Sequence, residues 1–334
     1  MKLRHEKRTG SKRQRRGVGF PALALLLSLA SWSMRGDAPT SVTPQFGDDD
    51  LHLAESRDVS QGTPVTIARA RQLLNWPAAG IDCGPGLRIG MIDSGVDTRD
   101  ADLAGARIVT RDFVTGAAPA AGARHGTDIA RILVGADFGM LPDARVFAAN
   151  IFREAKDGER AKATDLLRAM DWLMQQDVSV INLSLVTYKK SPVLELAIAR
   201  AMARGIVIVA AAGNGGGRAS PAYPAAIDGV VAVTAVDSAM ELYRQANQGS
   251  YVDLAAPGVQ LLFDATPRSG TSFAVPFVTA EIAVRIAGLP LRDRHSGATA
   301  TDAVLANALD LGKQGWDAKF GWGLAMAGGA CSGS

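Results

Sequence analysis

The chain of 334 residues is 47% hydrophobic, enough apolar material for one large core or two modest ones. Its formal charge of +3 invites a nucleic-acid reading until the charge is located. Residues 1–30 hold eight Lys or Arg against one Glu, and subtracting that +7 from +3 leaves −4 for the remainder, a mildly acidic surface with no basic stripe for phosphates.

The N-terminal stretch MKLRHEKRTGSKRQRRGVGFPALALLLSLASWS places a long basic region before an apolar run, Phe20 to Ala30. Ser28 and Ala30 stand as in an A-x-A-like cleavage site, so residues 1–30 are expected to be an export signal, with the mature chain beginning near Ser31 in the periplasm or outside the cell. The run is short for a span of about 20 residues. An uncleaved membrane anchor, with the rest of the chain outside the cytoplasm, is the alternative reading, and no later segment is expected to cross a bilayer. Residues 31–62, rich in Pro, Ser, Thr, Gly and Asp, read as a flexible linker or short pro-segment. The two cysteines, Cys83 and Cys331, can pair in an oxidising compartment; two free thiols fit the spacing equally well, and they form no metal-ligand cluster.

From Thr63 the pattern changes. PVTIARARQLLNW has helical spacing, and apolar runs then alternate with helical stretches to the end. Strands are predicted at 87–93, 144–152, 178–185, 205–213 and 229–236, and helices at 125–135, 162–176, 191–204, 272–287 and 301–309. Strands apolar on both faces and alternating with helices predict an α/β domain over 63–330, a mainly parallel sheet flanked by helices on both faces. In such sheets the functional crevice lies beyond the carboxyl ends of the strands.

Those ends carry polar residues beside glycine. LRIGMIDSGVD puts Asp93 at the first strand's exit, where an Asx turn is the ordinary explanation and where Asp97 reads as such a turn residue. GARHGTDIARILVG sets His125 at a helix mouth; it is the one histidine of four at an element boundary inside the alternating core. GIVIVAAAGNGGG ends a buried strand at Asn214, by itself a turn signal whose carboxamide is also a donor for an oxyanion. SGTSFAVPFV begins an all-apolar helix with Ser272, either a helix cap or a nucleophile beside helix N–H groups. Each residue alone has an ordinary explanation. An acid, a base, an amide donor and a hydroxyl converging on one sheet edge do not.

MIDSGVD, HGTDIA, AAAGN and SGTSFAVP together resemble the Asp, His, oxyanion-Asn and Ser blocks of the subtilisin-like serine peptidases, the subtilases, in that family's order. The resemblance runs over roughly residues 85–327. It implies a subtilisin-like three-layer fold and peptide-bond hydrolysis through an acyl-enzyme, with a polypeptide substrate and no cofactor. Ser272 is then the nucleophile, His125 the base, Asp93 its orienting acid, and Asn214 with the Ser272 N–H the oxyanion site. Activity is expected to fall below about pH 6–7, where an ordinary imidazole takes a proton. The resemblance also assigns Ser184, Leu185, Val186, Ala211, Ala212 and Gly213 to substrate binding, with the substrate added as an extended strand along 184–186.

Departures from the family pattern are local. Asp128 stands where relatives carry a second histidine and reads as a structural residue in the first turn of its helix. Val186 and Thr187 replace glycines, and Val186 is expected to narrow a substrate pocket toward smaller residues. The loop after the histidine helix is abbreviated, so no metal is carried over from relatives. A catalytically silent subtilase-like peptide-binding or scaffold protein is the rival reading. An esterase is disfavoured by the lack of a G-x-S-x-G elbow, and a nucleotide-binding protein by the lack of G-x-G-x-x-G after the first strand.

Overall fold

The computed structural model describes residues 51–54, 61–77, 81–83, 86–114, 124–155, 158–290 and 297–328. The chain divides into residues 1–45 and residues 46–334, and all the described residues belong to the second unit. The expected export signal, residues 1–30, lies outside them.

Strands β1 (Leu51–Leu53) and β2 (Val65–Thr66) precede helix α1 (Ile67–Leu73), which Thr66 caps by accepting the Arg69 N–H. Next come β3 (Arg88–Asp93), β4 (Arg107–Asp112), α2 (Arg124–Val134) and β5 (Arg145–Asn150). A hairpin, β6 (Phe152–Ala155) and β7 (Gly158–Ala161), leads to α3 (Ala163–Met174), β8 (Val180–Leu183) and the two-residue β9 (Leu185–Val186). They are followed by α4 (Pro192–Met202), β10 (Val207–Ala211), β11 (Val231–Val236) and β12 (Leu254–Pro257). A second hairpin, β13 (Leu261–Phe263) and β14 (Thr266–Arg268), precedes α5 (Thr271–Gly288) and α6 (Gly297–Ala306).

Seven strands pair in the order β12-β11-β10-β8-β3-β5-β4, every neighbour parallel. Their residues alternate between two cores, as the period-2 geometry of a strand requires. Ile89, Met91, Val146 and Val209 join α2 and α5 on one face, through Ile132, Phe273 and Phe277. Ile92, Phe147, Ile181 and Ile208 join α3 and α4 on the other, through Leu173 and Ile198. Each such side chain contributes about 1.5–3 kcal/mol when withdrawn from water, so burial on both faces holds the central strands hardest. The expected α/β architecture, a mainly parallel sheet with helices on both faces, is the one found.

Three differences from the sequence reading have plain causes. Strand β4 was not anticipated because it is an edge strand with mostly exposed residues, including Arg107, Arg111 and Asp112, instead of an apolar run. Helix α5 is 18 residues long and apolar enough to cross a membrane, contrary to the expectation that no later segment is; yet 89% of it is buried, so it is the core helix of this fold. The third concerns residues 31–62. Leu51–Leu53 form a strand between β7 and β9 in a separate sheet of order β6-β7-β1-β9, so the expected linker is ordered structure at its end. Cys83 is disulfide-bonded; the only other cysteine of the chain, Cys331, lies outside the described residues.

Candidate active site

Asp93, His125, Asn214 and Ser272 come together beyond the carboxyl ends of the central strands β3, β8 and β10. Asp93, fully buried at the end of β3, accepts the Ser94 N–H at Oδ1 (2.7 Å). Helix α2 starts against this turn. A Cβ on Gly126 would lie 1.9 Å from the Gly95 carbonyl oxygen, so only glycine lets the helix approach closely enough to seat His125 beside Asp93. His125 Nδ1 is 2.7 Å from Asp93 Oδ1, and its Nε2 is 3.0 Å from Ser272 Oγ. An ionised carboxylate only accepts, which places the ring proton on Nδ1 and leaves Nε2 to accept the serine proton. Phe273 packs against the imidazole with ring centroids 5.1 Å apart, and Phe263 packs against Phe273 in turn.

Ser272 is not a cap. The N-cap of α5 is Gly270, and Ser272, fully buried, is the second helical residue. Its N–H belongs to the first turn and has no partner within the helix. Pro276 has a structural effect here beyond tolerance near a helix start. Lacking an N–H, it leaves the Ser272 carbonyl free of the usual bond from four residues on, and Ser184 Oγ donates to that carbonyl at 3.0 Å. Ser184 Oγ accepts in turn from Asn182 Nδ2 (2.9 Å), and Asn182 Oδ1 from Thr279 Oγ1 (3.1 Å). Asn182, Ser184 and Thr279 are all fully buried, so this chain ties the backbone of α5 to β8 by satisfied bonds where unpaired groups would be costly. The sequence reading missed Asn182 and Thr279. Their signal was a lone polar residue inside an otherwise apolar strand and helix.

Asn214 follows β10 and is oriented by another missed residue. Thr271 donates from its backbone N (3.1 Å) and Oγ1 (3.0 Å) to Asn214 Oδ1, which fixes which end of the carboxamide faces away. The Asn214 Nδ2 then donates to the carbonyl oxygen of Ala54 at 2.6 Å. The Ser272 N–H donates to the same oxygen at 3.1 Å.

The chain's own segment therefore occupies this crevice. β1 runs antiparallel to β9, with Leu53 opposite Leu185 and His52 opposite Val186, and the Ala54 N–H continues the ladder to the Ser184 carbonyl (3.2 Å). On its other side β1 pairs with β7, Leu51 opposite Ala161. Ser184, Leu185 and Val186 thus lie along this extended segment of the chain. Ala211 ends β10, Ala212 gives its carbonyl to Tyr251 Oη (2.8 Å), and Gly213, at φ +105°, turns the chain into Asn214 while donating to Thr271 Oγ1.

Asp128 departs from its expected place. Helix α2 begins at Arg124, so Asp128 lies in its second turn, where it is buried with Arg268 Nε at 3.4 Å and Arg131 at 3.9 Å. Burial pushes its carboxyl up to about 6, against the pull of Arg268, His125, Arg131 and Arg124. A folded-state value above the ordinary 3.8 means that its contribution to stability is fully present below pH 3.8 and is lost as the pH rises through 6. Asp128→Asn, which does not titrate, is accordingly expected to gain stability relative to the native residue between pH 4 and 7, by roughly 2–3 kcal/mol. Urea unfolding of both proteins across that range, in a Ser272→Ala background to prevent autolysis, measures this; a constant difference would refute it. Among the described residues, no group of three or more His, Cys, Asp or Glu stands ready to hold a metal ion.

The model of the subtilase family matches residues 84–323. The minor extracellular protease Epr of Bacillus subtilis (strain 168) is 32% identical over 254 residues, covering 72% of this chain. The chain spans only 38% of that protein's length. Subtilisin DY of Bacillus licheniformis is 31% identical over 250 residues, 70% of this chain and 87% of its own. A solved structure, that of the prenylagaramide maturation protease PagA, superposes with a TM-score of 0.60 at 24% identity, over 73% of this chain and 91% of the other, a likeness of fold.

Proposed function

Because the chain belongs to the subtilase family, we propose that it is an exported serine endopeptidase in which Asp93, His125 and Ser272 form the catalytic triad and Asn214 supplies the oxyanion donor. The observation that carries the reading is the Ala54 carbonyl. A peptide carbonyl lies where two donors meet, Asn214 Nδ2 and the Ser272 N–H, next to a hydroxyl in contact with an imidazole.

The chemistry follows from these contacts. Ser272 Oγ attacks the carbonyl carbon of a bound peptide while His125 Nε2 takes its proton. The developing oxyanion receives the Asn214 and Ser272 N–H bonds, groups already held in place by Thr271 and by the first turn of α5. Removing one such donor costs about 10²–10³ in kcat, a magnitude known from subtilisin itself. Buried Asp93 holds the ring tautomer and favours the imidazolium that forms. His125 then protonates the leaving amine, and water releases the acyl group by the same route in reverse. Ser184, Leu185 and Val186 bind substrate as an added strand, with Ala211, Ala212 and Gly213 forming the neighbouring wall.

Export rests on the basic and apolar N-terminal segment and on the extracellular relative. The test is a fluorophosphonate probe applied to protein from the exported fraction. Labelling of the native chain and none of Ser272→Ala is the expected result; an unlabelled native protein would favour the silent scaffold.

A further inference from the structure

We propose that Arg131 is a positioning residue for the reaction. It ties helix α2 to the tip of the β13–β14 hairpin, which keeps Phe263 and Phe273 packed against the His125 ring and the imidazole facing Ser272. The inference rests on the reading of His125 as the base.

The hairpin needs support at its tip from outside its own sheet. Sheet pairing reaches only its base, where Leu261 and Leu262 stand opposite Val65 and Thr66 of β2. Beyond them Phe263 and Thr266 pair across a two-residue turn, in which Asp264 and Ala265 have φ of +47° and +63°. Two positive φ values suit the twist of a hairpin, but the left-handed region is unfavourable for alanine. Backbone of this kind persists where its surroundings hold it.

Arg131 supplies the hold. Its Nη1 donates to Asp264 Oδ2 at 2.9 Å and its Nη2 to Asp264 Oδ1 at 3.1 Å, a two-pronged bond. Its Nε donates to Asp102 Oδ2 at 3.1 Å, which fixes the guanidinium plane from another edge. The guanidinium carbon lies over the Phe263 ring, 5.7 Å from its centre. The bond from Arg131 holds the Asp264 carboxyl below the usual carboxylate range, so the link is ionic at neutral pH.

From this link the contacts run to the imidazole. The Phe263 and Phe273 rings are 5.8 Å apart, and the Phe273 and His125 rings 5.1 Å. A second link lies closer to the nucleophile, where Asp128 of α2 meets Arg268, four residues before Ser272, at 3.4 Å. His125, Asp128 and Arg131 follow at intervals of three, so each neighbours the next on the helix surface. The helix that carries the base and the hairpin that leads to the hydroxyl are thus joined at two levels. Arg131 makes the outer one. Loosening it frees Phe263 and then Phe273, and lets the ring turn within its 3.0 Å contact with Ser272 Oγ. Displacement of a reacting group by roughly 1 Å can cost about 10²-fold in rate.

The full-length chain tests this, with active sites counted by fluorophosphonate labelling so that only competent molecules enter kcat. Asp264→Gly removes the link, leaves the turn conformation permitted and opens no hole in the core, since the Asp264 side chain is 78% exposed. It is expected to lower kcat about tenfold with KM changed by less than about twofold, and Arg131→Met to do the same. Phe263→Leu should lower kcat similarly, and its combination with Asp264→Gly no further than either alone. In a Ser272→Ala background, which does not digest itself, Asp264→Gly should shift the carbon-bound imidazole protons of His125 in NMR spectra. Asp264→Asn serves where the glycine variant does not label, with a smaller loss of kcat expected. A near-native kcat, a loss confined to KM, or an unmoved imidazole signal overturns the inference and leaves the peptidase reading standing. Absence of labelling in the native chain overturns both.

Discussion

Ser272→Ala is expected to lower kcat/KM for peptide cleavage by about 10⁴-fold or more, with little change in KM. The size follows from what the hydroxyl does. Without it there is no atom to form the acyl bond, and the proton on its way to His125 Nε2 has no source, so the pathway is lost and not merely slowed. What survives is binding and the two oxyanion donors, which still favour attack by a stray water over the uncatalysed reaction. The hydroxyl's contact is the 3.0 Å bond to His125, and the anchor of α5, Ser184 Oγ to the Ser272 carbonyl, involves only backbone at this position. The variant should therefore unfold within a few degrees of the native protein. Peptide turnover above a tenth of the native rate, with an unchanged cleavage pattern, would remove Ser272 from the role assigned to it.

The second large effect belongs to Asp93→Asn, with an expected loss of about 10⁴ in kcat while the ring stays in place. Asp93 Oδ1 accepts from both His125 Nδ1 and the Ser94 N–H. An asparagine that keeps its oxygen on the Ser94 N–H turns its NH₂ toward Nδ1, and the imidazole must then accept there. Its proton moves to Nε2, where the base has to be empty. Proton-detected NMR of the imidazole in the variant reads the tautomer directly, alongside kcat. A variant with near-native kcat, or one inactive with Nδ1 still protonated, would show that Asp93 acts some other way.

The sequence made the sheet and the four polar residues legible for a common reason. Buried parallel strands are short apolar runs, and a polar side chain at the end of one stands out against them. Asp93 and Asn214 are of that kind, while His125 and Ser272 stand in the first turns of helices, close to a glycine. What did not stand out was either ordinary in composition or dependent on a partner far along the chain. Strand β4 looks like loop because its side chains meet water. Thr271, Asn182 and Thr279 look like stray polar residues until distant segments meet and their bonds close. Asp128 was assigned to a first turn from its neighbours alone, but the helix starts one residue before His125 and leaves it a turn deeper. Leu51–Leu53 was the least legible. LHL has no strand signal of its own, and its conformation is set by the two edges, β7 and β9, that receive it.

Strand β1 has a kinetic meaning as well as a structural one. Because Leu51–Ala54 is covalently joined to the domain, it competes for β9 at the effective concentration of a short tether, on the order of millimolar, and an incoming peptide must displace it. Access to β9 is thus governed by connectivity as well as by affinity.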